Sequence, residues 1–356
     1  MKRNTLLLGL VLIGQLLFSQ GPPGYYDSAN GLSGDDLQEA LHNIINDHDP
    51  ISYNNLWSAF EDTDKKSNGK VWDIYSDVPG GTPPYQFTFY SDQCGNYGQE
   101  GDCYNREHSF PRSWFGGDVY PMFSDLFHMY PTDGYVNGKR GNYPYGEVSS
   151  ANWTSQNGSK VGNNTYPGYN GIVFEPIDAY KGDLARTYFY MATRYLGEDN
   201  GWPGSPMVDG SQPKEWALNM LYDWHIDDPV DQKEGARNDA AYDFQDNRNP
   251  FIDRPEYVGE IWFNTQLTEE TFMTRSDFSV FPNPVVNEIL VKATGQMQAH
   301  ELFITIADET GRRVFSSEYS SMDEIRIDAG DFSKGFYVLS ITKSGNNPPV
   351  TFKFVK

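Results

Sequence analysis

Apolar residues recur at helical spacing in several stretches of the chain, and near its end they alternate residue by residue. In DDLQEALHNIIND, Leu37, Leu41, Ile44 and Ile45 share one helical face, with Ser33 or Asp35 placed to cap it. YNNLWSAFEDTD continues as helix. The strongest helical pattern is IDAYKGDLARTYFYMATRYL, where Ala179, Leu184, Ala185, Tyr188, Phe189, Ala192 and Tyr195 are spaced for burial. PKEWALNMLYDWHIDD and a segment from Pro229 to about Phe244 predict two more helices. VWDIYSD and YQFTFYSD read as strands around the turn PGGTPP. A short strand is expected before Pro111, which has no N–H to extend the pairing. Asp125 to Tyr130 reads as a second strand or extended arm. GYVNGKRGN reads as a short helix behind an N-cap at Thr132 or Asp133. Residues 149–170, rich in Asn, Ser and Gly, read as a long exposed loop, and His42 and His48 as surface histidines.

The pattern changes near residue 266. TQLTEETFMTRSD is a polar linker over 266–277. FSVFPNPVVNEILVKA, ELFITIADETGRRVFSSE, DEIRIDAGDFSKGFYVLSITKSG and TFKFVK then alternate apolar and polar positions between turn signals. The expected fold class is α+β: a mixed domain over 21–265, with helices around a small sheet, followed by a small all-β sandwich over 278–356. Residues 1–20 have a basic tip and an apolar run from Leu6 to Phe18. That run is too short to cross a bilayer and suits a signal peptide cleaved near Ser19 or Gln20. The mature chain is expected to be exported, with no integral membrane segment.

Export bears on the two cysteines. Cys94 and Cys103 are expected to form a small-loop disulfide in an oxidising compartment. A zinc pair would want CxxC spacing or neighbouring histidines. The formal charge of −22 argues against nucleic acid as a partner, since phosphate binding normally wants a basic face. Two facts soften this. The stretch Tyr104 to Glu147 is nearly balanced, with four Lys/Arg against five Asp/Glu, and a bound divalent cation adds positive charge that a formal count omits.

That balanced stretch holds the candidate chemistry. Glu107 directly precedes His108, and His128, Pro131, Asn137 and Asn142 follow. Hydrolysing a phosphodiester at neutral pH needs a base for water and a cation for the charge on phosphorus. Neutral imidazole can be the base. A carboxylate and an amide carbonyl are hard oxygen ligands for Mg²⁺, with Ca²⁺ or Mn²⁺ as alternatives. Arg112, Arg140 and Arg186 are candidates for gripping phosphate, because a fork of donors matches its oxygens. Arg186 can equally pair with Asp183 or Asp178 on its own helix. There is no HExxH, GxSxG or CxxC, and GYVNGKRG does not match a P-loop.

The same residues resemble the endonuclease I family of bacterial secreted nucleases, whose catalytic unit is the ββα-metal (His-Me) finger. The matching elements are R-E-H-x-x-P from Arg106 to Pro111, D-x-x-H from Asp125 to His128, and P-x-x-x-x-x-N-G-x-R-x-N from Pro131 to Asn142. Similarity continues through Phe174 to Tyr195 and Asn247 to Glu256, so it covers roughly 30–265. The resemblance implies His108 as general base, Glu107 and Asn137 as metal ligands with Asn142 the alternative, and His128 and Arg140 in support. It further implies one divalent cation, DNA and RNA as substrates through their backbones, and 5′-phosphate products. On a strand, adjacent residues point oppositely, so Glu107 and His108 need a local twist or different tasks. The C-terminal FPNP, ITIADETGRRV, GFYVLSI and KFVK resemble the type IX secretion sorting domain, implying that machinery as a partner and a secreted or cell-surface destination. A non-catalytic surface-binding protein on a nuclease-like fold is the rival reading, and a phosphoesterase acting on small substrates a third.

Overall fold

The computed structural model describes residues 21–263, 278–293, 302–319, 324–343 and 350–356. The expected signal peptide and the expected linker, 266–277, lie outside them. The chain divides into two compact units, Met1–Gln266 and Leu267–Lys356.

The first unit is built around helix α4. In chain order come α1 (Gly34–Ile45), α2 (Leu56–Thr63), strands β1 (Tyr104–His108) and β2 (Met129–Asp133), α3 (Gly134–Arg140), β3 (Val148–Thr154), β4 (Lys160–Asn164) and β5 (Ile172–Glu175). There follow α4 (Lys181–Arg194), the short strands β6 (Val208–Asp209) and β7 (Gln212–Pro213), α5 (Glu215–Asp227), α6 (Gln232–Gln245), α7 (Pro250–Asp253) and α8 (Tyr257–Trp262). Every residue of α4 is buried. Half of its residues are apolar or aromatic, and its buried arginines are paired, Arg186 with Glu234 and Arg194 with His48 and Glu198. α1, α5 and α7 pack against it, and Leu184, Tyr188, Phe189 and Met191 join one aromatic-rich core with Leu37, Leu41, Met220 and Phe251.

β1 and β2 form a two-stranded antiparallel ribbon, Glu107 opposite Tyr130 and His108 opposite Met129, and α3 follows at once. Asp133 is the N-cap, its Oδ1 accepting from Val136 N at 2.8 Å. Gly141 ends the helix at φ +55°, a conformation a side chain disfavours. Buried Arg237 of α6 ties this finger to the core. It pairs with Asp64 at 2.9 Å and donates to the carbonyls of Leu126 and Met129.

Four expectations are corrected. The second strand begins at Met129, because Asp125 Oδ1 accepts from Phe127 N (3.0 Å) and folds 125–128 into a turn. VWDIYSD and YQFTFYSD are not strands among the described residues. Asp73 captures Tyr75 N and Ser76 Oγ, and Asp92 captures Thr88 N, so local side chains bend the backbone instead. Residues 149–170 hold a hairpin within the three-stranded sheet β3-β4-β5, with Asn157 and positive-φ Gly158 at its turn. Its outer strand is largely exposed, so it lacks the apolar alternation that marks a strand. His48 is buried and accepts from Arg194 Nε at 2.8 Å, while His42 is half-buried against the Thr193 carbonyl.

The second unit packs two antiparallel sheets. One is ordered β11-β10-β13-β14 and the other β12-β9-β8. The strands are β8 (Phe278–Phe281), β9 (Glu288–Ala293), β10 (Leu302–Asp308), β11 (Arg313–Tyr319), β12 (Glu324–Asp328), β13 (Phe336–Lys343) and β14 (Val350–Val355). Alternate residues Ile289, Val291, Ile304, Ile306, Leu339 and Ile341 fill the space between them. Among the described residues no helix is long and apolar enough to cross a membrane.

Candidate active site

β1 presents two faces, and its alternation sorts the site. Asn105 and Glu107 reach toward α3: Asn137 Nδ2 donates to Asn105 Oδ1 at 2.8 Å, and Arg140 Nη1 to Glu107 Oε1 at 3.1 Å. Arg106 and His108 lie on the other face, where both rest against Tyr53. Glu107 and His108 therefore point apart without a twist in the strand. Both still line one cleft of about 310 Å³, together with Tyr53, Arg106, Arg112, Asn137, Arg140 and Asn142.

His108 is held by the 3₁₀ turn Met122–Ser124. Its Nε2 lies 3.1 Å from the Phe123 carbonyl. A carbonyl only accepts, so Nε2 carries the proton and Nδ1 of the neutral ring keeps its lone pair. Nδ1 has no hydrogen-bond partner among the described residues. Burial, helped by His128, Arg112 and Arg106, holds the imidazole pKa well below its ordinary value. The ring is thus neutral at pH 7. His128 does not line the cleft. It sits fully buried with its ring 5.5 Å from that of His108, and donates Nε2–H to Met122 O at 2.6 Å. The same turn thereby fixes both rings.

Glu107 is buried, and burial raises its pKa to about 7 although Arg140 and the Tyr75 hydroxyl work against this. The side-chain hydrogen bonds it accepts, from Tyr75 (2.9 Å) and Arg140, both fall on Oε1, and the His108 backbone N–H also donates to the carboxylate. Asn137 Nδ2 is engaged by Asn105, which leaves its Oδ1 without a partner among the described residues. A carboxylate and an amide oxygen on one cleft are a donor set that fits a hard divalent cation. Asn142 also lines the cleft, but it lies beyond the Gly141 cap rather than on the helix, and is exposed.

The arginines separate. Arg140 is buried and donates to the carbonyls of His108 (3.0 Å) and Ser109 (2.6 Å) as well as to Glu107, so it fastens α3 to the end of β1. Arg112 is exposed on the cleft and paired with Asp118 at 2.7 Å. Arg186 does not reach the cleft. It is buried on α4 and forks onto Glu234, 2.6 Å to each oxygen, because a guanidinium inside a packed helix must be paired. Asp183, Asp231 and Glu234 are, among the described residues, a group of carboxylates close enough to share an ion. They gather at this same ion pair, away from the cleft. Tyr75, Asn105 and Arg106 went unassigned in the sequence. Asn105 had a signal, its position two residues before Glu107 on the same strand face; Tyr75 had none. Cys94 and Cys103 are disulfide-bonded, their Cα atoms 5.7 Å apart, and the bridge ends where β1 begins.

Residues 33–256 match the family described as endonuclease I, and residues 279–356 the secretion system C-terminal sorting domain. The chain belongs to the endonuclease I family. The extracellular ribonuclease of Bacillus amyloliquefaciens is 39% identical over 249 residues, covering 67% of this chain and 78% of that protein. The extracellular ribonuclease of Bacillus subtilis is 36% identical over the same shares. Endonuclease-1 of Buchnera aphidicola is 27% identical over 129 residues, 36% of this chain and 44% of its own. This endonuclease I protein is a secreted nuclease, and its sorting domain marks it for export by type IX secretion. Membership suggests a divalent metal, with which the oxygens of Glu107 and Asn137 on the cleft are compatible.

Proposed function

We propose that the chain hydrolyses phosphodiester bonds of DNA and RNA with little sequence preference, His108 acting as general base beside one divalent cation. The observation that carries this is that one cleft is lined by His108, whose Nδ1 bears the lone pair, and by the oxygen-bearing side chains of Glu107 and Asn137. Phe123 O holds the imidazole in the tautomer a base requires. His108 Nδ1 takes a proton from water as the water oxygen bonds to phosphorus, and the bond from phosphorus to O3′ breaks on the opposite side. Phosphate remains on the 5′ end, and the 3′ oxygen leaves with a proton from solvent. Bound between Glu107 and Asn137, Mg²⁺, or Ca²⁺ or Mn²⁺ in its place, would supply Lewis-acid stabilisation of the charge gathering on the phosphate oxygens. Arg140 keeps α3, and so Asn137, in register with β1. Arg112 has one carboxylate to exchange for a backbone phosphate. Contacts made to the backbone explain why both nucleic acids would serve.

The test is degradation of plasmid DNA and of a mixed-sequence RNA by the mature protein, with divalent ion or with EDTA, against His108→Ala. Loss of both activities in EDTA and in the variant, with tryptophan fluorescence unchanged, is expected. Near-normal cleavage by His108→Ala would reject the base assignment. Intact polymers across several divalent ions would favour a surface-binding protein instead.

A further inference from the structure

Arg106 differs from the other arginines on the cleft wall. Arg112 has Asp118 and Arg140 has Glu107, whereas the Arg106 guanidinium meets no carboxylate among the described residues. It is half-buried, and burial lowers its pKa, with Tyr53 working the other way. In a chain of net charge −22, a partly desolvated cation left without a counter-ion beside the proposed base is an exception to be explained.

Its mounting is built. The guanidinium carbon lies 3.7 Å from the centre of the Tyr53 ring and 4.5 Å from that of Trp57. Nη1 donates to Tyr53 O at 2.7 Å. Phe123 stacks on Tyr53 at 4.2 Å and 20°. Two groups that close cannot share one face of a ring, so Tyr53 is covered on both sides. It is a support for Arg106, with no face left for a base to stack on. Phe123 also stacks on His108, 5.4 Å between centres at 20°. Tyr53 itself lies 5.9 Å from His108 at 14°, so Arg106, Tyr53, Phe123 and His108 form one packed cluster, which fixes the guanidinium relative to the imidazole. Tyr53 takes Nη1 through its carbonyl and also hydrogen-bonds the guanidinium through its side chain, so of five N–H donors a pair remains for an anion.

We propose that Arg106 binds a phosphate oxygen of the nucleic-acid backbone in this cleft, as the preformed phosphate grip beside the base. The inference rests on the nuclease reading above. The guanidinium is already seated against two aromatic rings, so little side-chain entropy is lost on binding, and the planar fork matches phosphate bidentately. Arg106 is a substrate-binding residue rather than a proton carrier. Its loss is expected in KM more than in kcat.

The experiment measures kcat and KM for a fluorogenic single-stranded oligonucleotide over a series of salt concentrations, using the mature chain, Arg106→Ala and Arg106→Lys. For Arg106→Ala, KM is expected to rise roughly ten-fold with kcat within about two-fold, as for a lost charge-assisted contact. The slope of log(kcat/KM) against log[salt] should become shallower by about 0.7, one phosphate contact fewer. Lysine keeps the charge without the fork, so its slope should match wild type while KM stays raised. Wild-type KM and slope in Arg106→Ala would overturn the proposal. Should that variant fail to fold, Arg106→Lys decides, and a wild-type KM there would overturn it. An inactive wild-type chain would overturn the nuclease reading, and this one with it.

Discussion

Arg140→Met removes the joint between α3 and β1 while keeping an unbranched stem of similar reach. The arginine is almost fully buried, and its lost partners are Glu107 Oε1 and the carbonyls of His108 and Ser109. Breaking a buried pair by removing one partner costs about 3–5 kcal/mol, mainly because the surviving charge is stranded. Here the stranded charge is Glu107, whose pKa already stands at about 7 with Arg140 in place. Losing Arg140 pushes it higher. A carboxyl whose folded pKa exceeds its unfolded value costs stability once pH rises above the unfolded value. That cost grows until pH passes the folded pKa. The penalty of Arg140→Met should therefore rise above about pH 7, by up to about 1.4 kcal/mol per pH unit until the raised pKa is passed, and be larger at pH 8 than at pH 5. Urea unfolding of the intact chain measures this cleanly. All eight tryptophans lie between Trp57 and Trp262, so their fluorescence reports the nuclease unit and not the sandwich. By heat, the expected loss is roughly 6–20 °C for a unit of this size. Arg140→Met with Glu107→Gln should recover part of the loss at pH 8 and respond less to pH. A penalty below about 1 kcal/mol, or one equal at pH 5 and pH 8, would refute the claim that this buried pair joins the finger.

Two further outcomes separate residues that the sequence left together. Asn137→Ala should raise the divalent-ion concentration for half-maximal activity by roughly ten- to a hundred-fold, and Asn142→Ala much less, since Asn142 lies past the helix cap; equal effects in a metal titration would reverse that order. Arg186→Ala should cost about 3–5 kcal/mol in urea unfolding by stranding Glu234, yet leave KM for the oligonucleotide unchanged where the chain is folded, because Arg186 is absent from the cleft wall. A raised KM with normal stability would return Arg186 to the substrate.

Periodicity sufficed where a helix or strand buries a regular face. Leu37, Leu41 and Ile45 on α1, Leu184, Ala185, Tyr188, Phe189 and Ala192 on α4, and the alternation of Ile304 and Ile306 in the sandwich were legible in this way. Ala179, by contrast, is exposed ahead of α4, and the burial of that helix's polar residues was not legible. The motif positions placed Glu107, His108 and Asn137 close in the chain, and they line one cleft. Elements set by single side-chain hydrogen bonds were not legible. Asp73 and Asp92 turn segments that read as strands, and Asp125 delays β2 to Met129. Such a bond forms or fails according to what the rest of the fold brings near it, and periodicity carries no trace of that. The arginines make the same point. Arg106, Arg112, Arg140 and Arg186 are chemically identical, and their differences lie in the burial and the partners the fold gives each one. Which residues bury a face is a local property of the chain. Which charge stands opposite which depends on folding contacts between residues far apart in sequence, as when Arg140 meets Glu107 and Arg186 meets Glu234.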